Sequence, residues 1–127
     1  MNSTKKPRQT ILIADDSKLV LARYSDLLNS AGYDVVTSTD VYIASLVRQS
    51  QPDLILMDVS FGSDVGPIAV KSLKRRKIQG NATVVLFSAR SEIELNQLAL
   101  DCEADGYIRK SDDDAAFLRE VAAFLGS

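Results

Sequence analysis

Short apolar runs alternate with helical patterns five times along this chain, and this alternation constrains the fold more than any other feature. The runs cover residues 11–14, 33–37, 53–59, 82–87 and 107–109. The first is a continuous apolar stretch, which is typical of a strand that is buried on both faces of a sheet. Strands that alternate with helices predict a parallel sheet with right-handed crossovers. We therefore expect an α/β protein whose five-stranded parallel sheet is doubly wound, with five helices on its two faces.

The helices are predicted from apolar spacing and from residues that begin or end helices. Val20, Tyr24 and Leu28 recur at helical spacing after Ser17, a favourable N-cap residue, and Gly32 ends this first helix. The other helices are expected over 41–50 after the cap Asp40, from Pro67 to about 77, from 91 to about 102, and from the acidic run 112–114 onward.

Composition restricts the classes of function. With 127 residues, 46% hydrophobic and 25% charged, the chain has the size and balance of one globular domain. The formal net charge of -2 argues against a nucleic-acid-binding surface, which needs a basic face. The absence of histidine excludes a histidine base and most zinc sites, and the single cysteine, Cys102, cannot form an intrachain disulfide.

The apolar runs are also too short for a membrane segment. None approaches the ~20 residues that a membrane-spanning helix needs, and the run after the polar start is too short for a signal-peptide core. We expect a cytoplasmic protein that binds neither membrane nor nucleic acid. Residues 1–9 are expected to be disordered, and residues 10–127 to form the domain.

Acidic or polar side chains follow four of the predicted strands. They are Asp15 and Asp16 after the first strand, Asp58 after the third, Ser88 after the fourth and Lys110 after the fifth. Because ligands of parallel sheets bind at the carboxyl ends of the strands, these side chains are expected to meet at one edge. Three clustered carboxylates favour Mg²⁺, with Mn²⁺ as the alternative. An aspartate there can accept a phosphoryl group, with Lys110 and Ser88 contacting its oxygens.

These motifs, in this order, resemble the CheY-like receiver domain of two-component response regulators. That family has an acidic pair after strand one, a phosphoacceptor Asp after strand three, Ser or Thr after strand four and Lys after strand five. The corresponding segments here are Ile-Ala-Asp15-Asp16-Ser, Leu-Met-Asp58-Val-Ser, Leu-Phe-Ser88-Ala-Arg and Gly-Tyr-Ile-Arg-Lys110. The resemblance implies the flavodoxin-like strand order 2-1-3-4-5.

The resemblance also implies roles for individual residues. Asp58 is expected to take a phosphoryl group from a phosphohistidine on a sensor histidine kinase or a histidine phosphotransfer protein. Mg²⁺ is expected to bind Asp16, Asp58 and the backbone carbonyl of Ser60, with Asp15 acting through water. Ser88 and Tyr107 are expected to form the switch, which would change the face of helix 4, strand 5 and helix 5, where an output partner docks.

Two places depart from the family pattern, and two further positions bear on the site. The loop after Asp58 has Phe61-Gly62 and lacks the Met-Pro pair that is frequent in the family. Ser111 follows Lys110, where the family usually has proline, often after a cis peptide bond. Gly66 occupies the place of a glycine that the family commonly keeps before helix three. Arg90 lies two residues after Ser88, and we hypothesise that its long side chain gates access of water or a partner to the phosphate.

Two alternatives remain beside the phosphorylated switch. The chain can be a receiver-like interaction module that does not use phosphorylation and works only through its surface. It can also be an aspartyl-phosphate hydrolase, but such enzymes carry a second Asp two residues after the nucleophile, and here that residue is Ser60. We therefore expect no enzyme activity beyond self-phosphotransfer and autodephosphorylation.

Overall fold

The computed structural model describes residues 8–62 and 64–126, in which five strands alternate with five helices. The strands are β1 (Thr10–Ala14), β2 (Asp34–Ser38), β3 (Leu54–Asp58), β4 (Thr83–Ser88) and β5 (Gly106–Arg109). The helices are α1 (Lys18–Ser30), α2 (Ala44–Ser50), α3 (Gly66–Arg75), α4 (Glu92–Cys102) and α5 (Asp114–Phe124). The predicted alternation is confirmed.

The five strands form one parallel sheet in the order β2-β1-β3-β4-β5. This is the order that the family resemblance implied. Both β1 and β3 are buried along their whole length, as expected for central strands with helices on both faces. Ala14 pairs with Met57 near the ends of these two strands, so the residues that follow them leave the sheet side by side. The strand order reverses here, which is where doubly wound sheets bind ligands.

Helices cover both faces of the sheet, as predicted. On one face, α1 and α5 enclose a cluster whose largest side chains are Tyr24, Phe87 and Phe117. The Tyr24 ring lies 4.8 Å from the centroid of each of the other two rings. On the other face, α2, α3 and α4 pack on a second cluster that includes Met57 and Leu86. Because each buried side chain of this size contributes about 1.5–3 kcal/mol, the two clusters hold the strand ends in place.

Three of the helices have an N-cap residue whose side chain accepts a backbone hydrogen bond. Ser17 caps α1 as predicted, because its hydroxyl oxygen accepts a hydrogen bond from the backbone N–H of Val20 at 3.3 Å. Ser91 caps α4 and Asp113 caps α5 in the same way. Such a cap contributes about 1 kcal/mol by satisfying a backbone donor that the helix leaves free.

The predicted start of the second helix is wrong. The carboxylate of Asp40 accepts the N–H of Tyr42 at 2.9 Å in a local turn, and α2 begins only at Ala44. Val41 and Ile43 are 9% and 1% exposed, so both are packed into the core just before the helix. Burial of these two side chains holds the segment in a non-helical path, and tertiary packing outweighs the local capping signal.

The start of α3 is pressed against the end of β3. A Cβ atom on Gly66 would overlap the backbone carbonyl oxygen of Asp58. Only glycine therefore permits this close approach of helix and strand. Pro67 follows in the first turn of α3, as predicted.

Part of the predicted N-terminal segment lies outside the described residues. Of residues 1–9, only Arg8 and Gln9 are described. The Arg8 guanidinium donates to the carbonyl oxygens of Gly32 and Tyr33 at 2.9 and 3.1 Å, and the carbonyl of Gln9 accepts the N–H of Asp34 at 3.0 Å. Among the described residues, no helix is both long and apolar enough to cross a bilayer.

Candidate functional site

Three carboxylates meet at the carboxyl ends of β1 and β3. Asp15 and Asp58 are almost fully buried, at 1% and 3% exposed, whereas Asp16 faces solvent. One carboxylate oxygen from each of the three residues lies within 4.8 Å of the other two. The structure therefore brings together all three acids that the sequence singled out.

Backbone amides orient these carboxylates. The N–H of Ser17 donates to Asp15 at 2.9 Å, and the N–H of Ser60 donates to Asp58 at 3.2 Å. Asp16 accepts the N–H of Gly62 at 3.3 Å. Each acid is thus held by the loop that follows its own strand or its neighbour, which reduces the entropy lost when the site binds a ligand.

Lys110 supplies the counter-charge. Its ammonium Nζ lies 2.8 Å from the Asp15 carboxylate and 3.4 Å from the Asp58 carboxylate. Its backbone N–H donates to the carbonyl of Ser88 at 2.8 Å, which extends the β4–β5 pairing by one residue and directs the side chain into the site. The ammonium also lies 5.2 Å from the centroid of the Phe87 ring, whose face attracts a cation.

The electrostatic balance at Asp58 is unfavourable to its charged form. Burial raises the pKa of the Asp58 carboxyl, and the nearby charge of Asp15 raises it further, while Lys110 and the N–H of Ser60 lower it. Burial is the largest of these causes. A cation placed between the carboxylates would stabilise the ionised form of Asp58 that a phosphoryl acceptor needs.

Ser88 lies beside the carboxylates and is 2% exposed. Its hydroxyl oxygen accepts the backbone N–H of Arg90 at 3.1 Å, which leaves the hydroxyl hydrogen for another acceptor. The two residues line the same cleft as Asp15, Asp16, Ser17, Val20, Asp58, Ser60, Ala89 and Lys110. The structure thus places the predicted site residues of all four strand ends in one cleft.

The Arg90 guanidinium spans this cleft from the β4–α4 connection to the β3–α3 connection. It is 2.7 Å from Asp64, 3.3 Å from the Ser60 hydroxyl and 3.1 Å from Glu94. Arg90 and Glu94 are four residues apart, a spacing from which their ion pair could have been predicted. No sequence signal pointed to Asp64, because it comes from a different loop.

Tyr107 lies apart from the cleft. Its side chain is half-buried and packs against the core cluster beneath α3 and α4, and it is not among the residues that line the carboxylate site. The structure therefore places Tyr107 next to α4 and two strands away from Asp58, with β4 between them, and does not bring it together with the acids.

The peptide bond between Lys110 and Ser111 is trans, since the described residues contain no cis peptide bond. The Ser111 carbonyl oxygen instead faces α1, where it accepts hydrogen bonds from Arg23 and Tyr24. Sequence reasoning missed both α1 residues, because nothing local to Arg23 marks it as a neighbour of this loop.

The donor set fits a small divalent cation. Carboxylate oxygens from Asp15, Asp16 and Asp58 are close enough to share one ion, and an all-oxygen set suits Mg²⁺ or Mn²⁺. The arrangement also leaves Asp58 near the ammonium of Lys110 and the hydroxyl of Ser88. Such an arrangement can serve a carboxylate nucleophile, because a fixed cation, a hydroxyl donor and oxygens that could hold a divalent ion lie beside Asp58.

Comparison with known proteins agrees with this geometry. Residues 11–122 match the family of response regulator receiver domains. The DNA-binding dual master transcriptional regulator RpaA of Synechocystis is 32% identical over 116 residues, which are 91% of this chain and 48% of that protein, so the chain spans about half of its length. The polar-differentiation response regulator DivK of Brucella ovis is 24% identical, and the match covers 93% of this chain and 97% of DivK.

Solved structures show the same fold. The chemotaxis protein CheY4 of Vibrio cholerae superimposes with a TM-score of 0.82 at 21% identity, over 92% of this chain and 98% of CheY4. A two-component response regulator of the LuxR family from Aurantimonas has a TM-score of 0.80 at 27% identity, over 94% of this chain and 86% of that one. This chain belongs to the response regulator receiver domain family, as shown by the family match together with the strand order and the cleft of three acids.

Proposed function

We propose that the chain is a phosphorylatable switch in a two-component phosphorelay, in which Asp58 accepts a phosphoryl group from a phosphohistidine in the presence of Mg²⁺. The observation that carries the proposal is the position of Asp58: a buried carboxylate 3.4 Å from the Lys110 ammonium, with two further carboxylates within 4.8 Å. Two buried carboxylates next to a third are costly unless the cluster binds a cation or takes part in chemistry.

The proposed reaction is a transfer from nitrogen to oxygen. An oxygen of ionised Asp58 forms a bond to phosphorus while the phosphorus–nitrogen bond of the phosphohistidine breaks. The imidazole, whose second nitrogen carries a proton, keeps the electron pair of the broken bond and leaves as the neutral ring. Lys110 and Ser88 contact the transferred oxygens, as their places beside Asp58 permit.

The metal would be held by Asp16, Asp58 and the backbone carbonyl of Ser60, with Asp15 contributing through water. Both oxygens of Asp15 are already engaged, one by Ser17 and one by Lys110, which supports its more distant role. When bound, Mg²⁺ supplies positive charge that offsets repulsion between the acids and the incoming phosphoryl oxygens. Mn²⁺ can replace it.

Phosphorylation would then change the face formed by α4, β5 and α5. Ser88 would turn toward the phosphoryl group, and Tyr107 would move into the space that this frees. Tyr107 is half-buried beside α4, a position from which a ring can repack. On α4, the apolar side chains of Ile93 and Leu100 are 87% and 67% exposed and lie two turns apart, which gives an output partner apolar surface to contact.

Arg90 would gate the cleft. Its guanidinium bridges two loops across the site through Asp64 and Ser60. A closed bridge would limit the water that can reach an acyl phosphate on Asp58, because excluding water prevents hydrolysis of a reactive intermediate.

The proposed partners are a sensor histidine kinase or a histidine phosphotransfer protein on the input side, in the cytoplasm, and a protein at the α4–β5–α5 face on the output side. The domain itself would bind neither nucleic acid nor membrane, and its only chemistry would be its own phosphorylation and dephosphorylation.

Acetyl phosphate with intact mass measurement tests the chemistry. With Mg²⁺, the protein should gain about 80 Da, one phosphoryl group in place of a proton, and the gain should disappear with EDTA or in Asp58→Asn. Asp26→Asn, an exposed acid on α1, is the matched control and should still be phosphorylated. If neither acetyl phosphate nor phosphohistidine donors add mass, the proposed switch is wrong and the unphosphorylated interaction module replaces it.

A further inference from the structure

Two side chains of α1 hold the backbone directly after Lys110. The Arg23 guanidinium donates to the carbonyl oxygen of Ser111 at 3.0 Å, and the Tyr24 hydroxyl lies 3.4 Å from the same oxygen. Arg23 also pairs with Asp114 at 2.9 Å, and its guanidinium lies 4.8 Å from the centroid of the Tyr24 ring. One exposed arginine thus joins α1 to the loop that carries Lys110 and to the first residue of α5.

This loop has few other restraints near Lys110. Strand β5 ends at Arg109, and the N–H of Lys110 makes the last bond to β4, to Ser88. On the far side, the hydroxyl oxygen of Ser111 accepts the N–H of Asp113, which is the cap of α5. Between these two points, the hydrogen bonds from Arg23 and Tyr24 to the Ser111 carbonyl tie the backbone of the loop to α1.

We propose that Arg23 is a positioning residue for Lys110: by fixing the Ser111 carbonyl, it keeps the Lys110 ammonium directed at Asp15 and Asp58. This inference rests on the proposed function, in which that ammonium contacts the phosphoryl oxygens. Tyr24 supports the same arrangement from below, because its ring packs on Phe87, over which the ammonium lies. The Arg23 side chain is 43% exposed, so its removal opens no cavity in the core.

Phosphorylation kinetics test the inference. In Arg23→Ala, the rate constant at saturating acetyl phosphate should fall about tenfold, less than the ~100-fold that a 1 Å misplacement of a reacting group can cost. The donor concentration for half-maximal rate should stay unchanged. Arg23→Lys keeps a donor for the carbonyl and should restore most of the rate. Asp114→Asn removes the ion pair but leaves the carbonyl bond, and should behave as the wild type.

Arg48→Ala is the matched control, because Arg48 is an exposed arginine on α2, and it should not change the rate. Equal losses in Arg23→Ala and Arg48→Ala, an equal loss in Asp114→Asn, or no rescue by Arg23→Lys would overturn the inference. The first result would assign the effect to net charge, the second to the anchoring of α5, and the third to general damage.

Metal affinity and spectra of the unphosphorylated protein separate this inference from the proposed function. If Lys110 moves away from Asp15 and Asp58, its ammonium competes less with Mg²⁺ for these carboxylates. Calorimetry on Arg23→Ala should therefore show about twofold tighter binding of Mg²⁺. A damaged site would bind more weakly, which overturns the inference. The amide N–H of Lys110 should shift in nitrogen-15 spectra of Arg23→Ala and not in Arg48→Ala. These readouts hold even if the wild type accepts no phosphoryl group, a result that refutes only the proposed function.

Discussion

Replacing Asp58 with Asn is expected to make the metal-free protein more stable at neutral pH, although it removes the proposed phosphoacceptor. Burial raises the pKa of Asp58 above its ordinary value. A carboxyl whose pKa is higher in the folded state stabilises the fold when the pH is below the unfolded-state pKa. This stabilisation is lost as the pH rises through the folded-state pKa. At pH 7, the ionised Asp58 therefore lowers the free energy of unfolding of the wild type.

The magnitude follows from burial and from the distances in the site. At an effective dielectric constant of about 20, two like charges 4.8 Å apart repel by ~3.5 kcal/mol, and an opposite charge at 3.4 Å attracts by ~5 kcal/mol. The attraction of Asp58 to Lys110 is thus larger than its repulsion by Asp15, and solvent around the exposed Asp16 weakens the repulsion from that residue. The cost of burying the charge, which is the largest cause of the raised pKa, therefore decides the sign. Asn keeps the volume, carries no charge and can accept the N–H of Ser60. Since one pKa unit corresponds to about 1.4 kcal/mol, we expect Asp58→Asn to gain about 1–2 kcal/mol.

Urea unfolding followed by circular dichroism in EDTA is the assay. With a slope of ~1–3 kcal/mol per molar urea, the midpoint should rise by about 0.5–1 M at pH 7. Near pH 3 the difference should vanish, because carboxyls are then largely protonated in both folded and unfolded chains. Mg²⁺ at 100 times its Kd should add about 2.7 kcal/mol to the free energy of unfolding of the wild type and much less to that of Asp58→Asn. The wild type should then be the more stable of the two proteins.

Asp26→Asn provides the control for this experiment. Asp26 is exposed on α1, so its replacement should change the free energy of unfolding by no more than about 0.5 kcal/mol at either pH. The reasoning fails if Asp58→Asn is less stable than the wild type at pH 7 in EDTA. It also fails if the gain is as large near pH 3, because a protonated Asp58 carries no charge to relieve.

Three further substitutions test other parts of the site. Gly66→Ala should lower the free energy of unfolding by about 3 kcal/mol in thermal melts, because its Cβ would overlap the Asp58 carbonyl, whereas Gly32→Ala meets open space and should cost only about 1 kcal/mol for its positive φ. Lys110→Ala should slow phosphorylation by acetyl phosphate ~100-fold while tightening Mg²⁺ binding in calorimetry, and weaker Mg²⁺ binding would contradict competition by the ammonium. Arg90→Ala should shorten the half-life of the acyl phosphate about three- to tenfold, measured by mass after removal of donor; an unchanged half-life would remove the gate.

The sheet and its polar strand ends could be predicted because their signals are local. Each apolar run and the Asp, Ser or Lys after it occupy consecutive positions, so Asp15, Asp58 and Lys110 were found without knowing the tertiary structure. The family resemblance then supplied the strand order that brings the ends of β1 and β3 together.

The contacts that depend on side-chain reach could not be predicted. The start of α2 was missed because burial of Val41 and Ile43 outweighs the cap at Asp40. The bridge from Arg90 to Asp64 and the bond from Arg23 to Ser111 join residues from separate elements. A long flexible side chain can reach many partners, and only the packed structure selects one.

The ion pair between Asp15 and Lys110 has a consequence for synthesis of the protein on the ribosome. Its two residues are 95 positions apart, so nearly the whole domain must leave the exit tunnel before the pair can form. The acids of β1 and β3 emerge long before their cation does. A nascent chain that ends before β5 therefore lacks the ammonium that Asp15 and Asp58 contact in the folded domain.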